Sequence, residues 1–368
     1  MTKIIPVPFD PELAATLAGF PVDPDASPLS RESLPAHRAG MNAMAQTVAE
    51  VIGTRPVEFE DRLIPGPAGA PDLEVTLLRP AGSGPHQPLP ALYNIHGGGM
   101  IMGSRSMDTG RLVDLVVSLG VVAMSVEYRL APEHPDPAPV EDCYAGFVWL
   151  ASNAAELGVD PERIVVMGGS AGGGLSAGVA LLARDRKGPS IVGQVLLCPM
   201  VDDTNTTVSS HQYAGIGTWT REMNLVAWDA LLGETADPES ADREAADAET
   251  DDGEADDGET DDGETGDCEA AAGRTTDRKY ISPYAAPARA EDLSGLPPAF
   301  IEAGSAELFR DEDVAYASRI WAAGGQAELH VWSGGFHGFD VFAPDSALAA
   351  DALATRESWF RRILGLTS

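Results

Sequence analysis

Ser170 stands in Gly168-Gly169-Ser170-Ala171-Gly172, between the apolar run Ile164–Met167 and a stretch rich in Gly, Ala and Leu. A serine hydroxyl becomes a useful nucleophile when a sharp strand-to-helix turn lifts it clear of a sheet and a nearby base takes its proton. Such a turn leaves no room for side chains on its flanks, which accounts for glycine at 168, 169, 172 and 173. It also aims the backbone N–H of Ala171 at the space above the hydroxyl. A glycine-rich turn can, however, do no more than seat a helix closely on a sheet, so the pentapeptide needs companions.

One companion lies upstream, where the run Ala91–Ile95 ends in His96-Gly97-Gly98-Gly99. Consecutive glycines let a backbone turn its N–H groups into a concavity. Those of Gly98 and Gly99, with Ala171, are placed to hold an oxygen that becomes negative in a tetrahedral intermediate, and one such donor is worth about 3 kcal/mol of barrier. The base is expected to be His337, in the loop Ser333-Gly334-Gly335-Phe336-His337-Gly338-Phe339 between the last strand and the last helix. His330 falls within a strand, and His37, His86, His134 and His211 sit in segments without such punctuation. An acid should orient the base, in the chain order serine, acid, histidine. Glu307 lies just behind the run Ala299–Glu302 and suits that geometry; Asp311, which reads as a helix N-cap, is the alternative. A nucleotide loop is a weaker reading. Gly172-Gly173-Gly174-Leu175-Ser176-Ala177 has the right glycine spacing but begins inside the helix, past the turn where phosphate would bind.

These residues need a scaffold that brings distant loops to one end of a sheet. Short apolar or β-branched runs at Leu73–Arg79, Ala91–Ile95, Val121–Val126, Ile164–Met167, Val192–Leu197, Ala299–Glu302 and Ala327–Trp332 read as strands. Helical stretches fall at Pro139–Leu157, Gly173–Arg186, Asp311–Ala323 and Ser346–Leu364. The alternation predicts an α/β fold with a mostly parallel central sheet and helices on both faces. Residues 1–50 read as a helical appendage, with helices around Pro11–Phe20 and Arg31–Glu50. Met100, Ile101 and Met102 beside the glycines fit an apolar acyl pocket or ordinary packing.

The 368 residues carry 57 acids against 24 bases, and only Lys3, Lys187 and Lys279 are lysines. Residues 237–277 hold 18 acids and two arginines, but the remainder still has 39 acids against 22 bases. Nucleic acid is therefore excluded as a partner, since its recognition starts from a basic patch. A surface so acidic repels itself until salt shortens the Debye length to about 3 Å near 1 M, so the protein is expected to be adapted to high salt, as in a halophile. Residues 236–277 include Glu-Thr-Asp-Asp-Gly, Glu-Ala-Asp-Asp-Gly and Glu-Thr-Asp-Asp-Gly from Glu249 to Gly263, and should be disordered. Their period is wrong for a calcium loop, which leaves loose cation condensation. Cys143, Cys198 and Cys268 have neither disulfide-framework nor zinc spacing. No signal peptide or apolar span is legible, and a reducing, cytoplasmic setting is the expectation.

Taken together, His96-Gly97-Gly98-Gly99, Gly168-Gly169-Ser170-Ala171-Gly172-Gly173, Tyr128-Arg129-Leu130-Ala131-Pro132-Glu133-His134-Pro135 and Leu296-Pro297-Pro298-Ala299 resemble the hormone-sensitive-lipase-like carboxylesterases. The resemblance spans about Leu92 to Phe342 apart from the acidic stretch. It implies an α/β-hydrolase fold with a helical cap, a Ser170–His337–acid triad, an oxyanion hole from Gly98, Gly99 and Ala171, and no cofactor or metal. It also implies hydrolysis of small esters with short or medium acyl chains. On this reading residues 1–50 and 203–235 form the cap, 51–202 and 278–368 the two parts of the core, and 236–277 an insertion. The chain departs from the family's pattern in two places. Gly169 stands where the family usually has Asp, and Glu307 stands where it usually has the Asp of an Asp-Pro-Leu, though its spacing of 30 residues to His337 is similar. Amide or lactone hydrolysis would use the same machinery, and a ligand-binding relative without catalysis is the rival from another class.

Overall fold

The structure is a computed structural model that describes residues 4–20, 27–84, 87–233 and 281–367. The acidic insertion 236–277 with its repeat lies outside the described residues, as do His86 and Cys268. Eight strands form one sheet: β1 (Val57–Ile64), β2 (Leu73–Pro80), β3 (Leu89–Ile95), β4 (Val122–Val126), β5 (Val159–Gly169), β6 (Gly193–Leu197), β7 (Ala299–Gly304) and β8 (Ala327–Trp332). Their order is β1-β2-β4-β3-β5-β6-β7-β8. β2 runs antiparallel to β1 and β4, and every pairing from β4 to β8 is parallel.

The strand residues sort by parity. Ala91, Tyr93 and Ile95 of β3 pack with Met124, Val166 and the helices Ala138–Ser152 and Ala171–Asp185 on one face. Leu92, Ala123, Val165 and Phe300 pack with the helices Thr109–Leu119 and Ala347–Ile363 on the other. Every residue of β4, β6 and β7 is buried, as strands covered on both faces must be. The helix Ala171–Asp185 is buried without interruption from Ala171 to Ala183, and its small residues let it sit directly against β5 and β6.

Several elements have no counterpart among the runs named from the sequence, β1 and the helices Thr109–Leu119 and Arg221–Leu232 being the longest. β1 is an edge strand whose middle, Glu58 to Arg62, is charged and largely exposed, so it shows no apolar run. The helix Thr109–Leu119 buries Leu112, Val113, Leu115, Val116 and Leu119, positions three and four apart that give it one apolar face. The stretch Arg31–Glu50 is not one helix. It divides into Leu34–Met44 and Val48–Ile52, because Thr47 and Glu50 form a capping box that starts the second.

The N-terminal segment reaches the loops above the strand ends. Asp10 caps the helix Pro11–Ala18, and its N–H donates to Gly334 O at 3.0 Å, while Leu13 packs with Phe336 and Phe339. Arg38 donates to Ile101 O at 2.6 Å and Ala131 O at 2.7 Å, tying the second helix to the loop after the triple glycine. No helix among the described residues is long and apolar enough to cross a membrane.

The helix Arg310–Ala322 buries two adjacent carboxyls. Glu312 accepts from the N–H groups of Val201 at 3.0 Å and Asp202 at 3.1 Å, whereas neither oxygen of Asp313 has a partner among the described residues. Burial, reinforced by Glu307 and Glu312, pushes the Asp313 carboxyl well above the usual range. A folded-state value raised above the unfolded one means that stability is lost as pH climbs from the unfolded value through the folded one. Asp313→Asn, neutral at every pH, is therefore expected to stabilise the protein by about 1 kcal/mol near pH 8, with the gain vanishing towards pH 4. Thermal melts across that range check it, and a loss of stability at pH 8 would count against a neutral, unpaired Asp313.

Candidate active site

β5 ends at Gly169 and the next helix begins at Ala171, so Ser170 alone makes the turn, with φ +56° and ψ −122°. That conformation is strained for a residue with a side chain, and the surroundings impose it. Ser170 N donates to Leu197 O at 2.8 Å, and Ser170 O accepts from Gly174 N at 3.1 Å and Met200 N at 3.0 Å. At Gly172 a Cβ would lie 1.9 Å from Ile95 O, so the helix start can meet the end of β3 only through glycine.

His337 reaches this turn from the loop after β8. Its Nε2 is 3.0 Å from Ser170 Oγ, and its Nδ1 is 2.6 Å from Glu307 Oε2. Glu307 is 2 % exposed, and its other oxygen accepts from Gly304 N at 2.8 Å. A carboxylate held this way keeps the proton on Nδ1, which leaves Nε2 bare to accept one from the serine. Asp311 is placed elsewhere. It lies in the first turn of a helix whose N-cap is Phe309, accepts from Ser209 N at 2.8 Å and pairs with Arg310.

The triple-glycine loop packs against the elbow, for a Cβ at Gly97 would meet Gly169 O at 2.9 Å and Ser170 Cβ at 3.5 Å. Gly98 and Gly99 have φ of +106° and +63°. Among the described residues the N–H groups of Gly98, Gly99 and Ala171 donate to no protein acceptor. His96 helps set this arrangement. Burial lowers its pKa and keeps the ring neutral, and its Nδ1, 2.8 Å from Gly97 O, must carry the hydrogen to pair with that carbonyl. In a trans peptide the N–H of Gly98 then faces the opposite side. The ring stacks on Tyr128 at 4.1 Å, and Tyr128 OH donates to His96 O at 3.0 Å.

A family model described as the alpha/beta hydrolase fold matches residues 92–254 and 242–341. The chain belongs to the α/β-hydrolase family. Within it the protein falls in the hormone-sensitive-lipase-like branch of carboxylic ester hydrolases. It is 32% identical over 359 residues to the carboxylesterase NlhH of Mycobacterium tuberculosis, covering 96% of each chain. It is 33% identical over 289 residues to the carboxylic ester hydrolase LipN of the same organism, covering 77% of this chain and 64% of that one. Among solved structures, a bacterial heroin esterase superposes with a TM-score of 0.79 at 32% identity, over 97% of this chain and 98% of that one. An esterase of Pyrobaculum calidifontis does so with a TM-score of 0.75 at 28% identity, over 97% and 99%.

Several residues around Ser170 and His337 have no motif to announce them. Thr218 Oγ1 donates to His337 O at 2.5 Å, and its neighbour Trp219 covers Gly99, where a Cβ would lie 2.6 Å from the indole. Consecutive residues thus touch the histidine loop and the glycine loop, which only the tertiary fold reveals. Met100, Ile101 and Met102 are buried in the main core cluster. Cys198 brings its Sγ within 4.8 Å of the facing atoms of Glu307 and His337. Burial first, then Glu307, pushes its thiol well above the usual range, so it stays protonated and is a poor metal ligand there.

Proposed function

We propose that this hydrolase is a serine carboxylesterase working through an acyl-enzyme. The observation that carries the reading is the single imidazole bridging Ser170 Oγ and the buried Glu307. His337 takes the Ser170 proton as Oγ attacks the ester carbonyl. The oxyanion rests on the N–H groups of Gly98, Gly99 and Ala171, and His337 returns the proton to the leaving alcohol. Water then repeats the sequence on the acyl-serine. Glu307 holds the imidazole in the required tautomer and stabilises its positive charge as it forms. No step calls on a metal or cofactor.

We further read residues 1–50 and 203–235 as the cap, 51–202 and 278–368 as the catalytic core, and esters with short to medium acyl chains as substrates. The relatives named as a carboxylic ester hydrolase and a carboxylesterase support esters as the substrate class. A formal charge of −33 with only three lysines supports adaptation to high salt and argues against nucleic-acid partners.

A fluorophosphonate probe tests the central claim. Stoichiometric labelling of the peptide bearing Ser170 is expected, because only an activated serine displaces fluoride. A ligand-binding relative would remain unlabelled, and that result would overturn the reading. An acyl-chain series assayed from low to molar salt checks the rest, with activity rising with salt and falling for long chains.

A further inference from the structure

A buried chain of charges borders the site without entering the proposed chemistry. Arg356, on the helix Ala347–Ile363, is 1 % exposed, and its Nη2 donates to Asp340 Oδ2 at 2.9 Å and also to Glu302 Oε1. Asp340 lies three residues beyond His337, in the short helix Phe339–Phe342, and the same oxygen is 3.2 Å from Arg111 Nη2. Arg111 Nη1 continues to Asp108 Oδ1 at 3.2 Å, and Asp108 Oδ2 accepts from Asn94 Nδ2 at 3.3 Å, two residues before His96. At the other end, Glu302 of β7 accepts from Trp332 Nε1 of β8 at 3.2 Å. Arg111 lies beside the serine turn, where a Cβ added at Gly169 would sit 3.7 Å from its Nη1.

Burying ions is a poor way to gain stability, because the cost of removing them from water offsets most of their attraction. What such pairs do supply is direction, for each guanidinium N–H donates along a fixed line in the plane of the group. Burial resists ionisation of Asp340, but Arg356 and Arg111 outweigh it and bring the carboxyl down to about 2. Both arginines thus grip a permanent anion. Through them the short helix after the base is held to the helix Thr109–Leu119, which lies beside the serine turn and, through Asp108, meets Asn94 of the strand leading into the glycines. In a hydrogen-bonded serine–histidine pair, a displacement of about 1 Å costs on the order of 10²-fold in rate.

We propose that Asp340, gripped between Arg356 and Arg111, is a positioning residue that locks the His337 loop to the Ser170 turn. It rests on the reading of Ser170 and His337 as nucleophile and base. The test is Asp340→Asn, which keeps the shape and removes the charge, with kcat expressed per serine titrated by the fluorophosphonate. The expected result is a loss of about 10²-fold in kcat with KM unchanged. Arg356→Lys, which keeps a charge but not the geometry, should fall between the variant and the parent. Arg111→Gln gives the same kcat-only pattern and serves if Asp340→Asn does not fold. Arg186→Met is the control: it removes a surface pair with Glu141 at the far end of the helix after Ser170, about 22 Å from the site. If Asp340→Asn or Arg111→Gln keeps the parent's kcat per titrated serine, whatever happens to the melting temperature, the network is structural only and the proposal is wrong. Failure of the parent itself to label would instead sink the proposed function.

Discussion

Ser170→Ala is expected to lower kcat on a chromogenic short-chain ester by about 10⁶-fold with KM nearly unchanged, because the substrate still binds and only the attack is lost. His337→Ala should cost about as much, since an unactivated hydroxyl and an absent one are nearly equivalent to an ester. The double variant should therefore be no worse than either single one. That non-additivity is the sharper measurement, because independent contributions would multiply. Residual catalysis of roughly 10³-fold over water would be left to Gly98, Gly99 and Ala171. Ser170→Ala at the parent's rate would place the nucleophile elsewhere.

Glu307→Gln is expected to lower kcat by about 10⁴-fold while leaving the fold intact. The present carboxylate has one oxygen on Gly304 N and the other on His337 Nδ1, so it can only accept. An amide can offer N–H to the ring instead, which favours the tautomer whose proton sits on Nε2, where the serine proton must go. Asp311→Asn separates the two acids. Its carboxylate serves Ser209 N and Arg310, so its loss should lower the melting temperature slightly and leave kcat close to the parent's. A larger kcat loss in Asp311→Asn than in Glu307→Gln would reverse the assignment of the acid.

The difference between these acids marks the limit of what residues alone convey. Glu307 and Asp311 are four residues apart and both follow β7, so local pattern favours Glu307, just behind the strand, without removing Asp311. The structure separates them because Glu307 precedes the helix and folds back onto the end of β7, whereas Asp311, already helical, faces the segment at Ser209. β1 is hidden in the sequence for another reason, the exposed charges of an edge strand.

The sequence by itself determined the features that depend on backbone sterics and local burial: the serine turn with its glycines, the triple-glycine loop, and the central parallel strands with the helices between them. Those constraints act within a few residues, and each leaves its own signature. Only the tertiary structure decided which acid meets His337, that Thr218 and Trp219 reach the histidine and glycine loops, and that Arg356, Asp340 and Arg111 join three distant segments. Contacts between residues such as Thr218 and His337, 119 positions apart, are set by how the layers pack, and packing writes no local pattern.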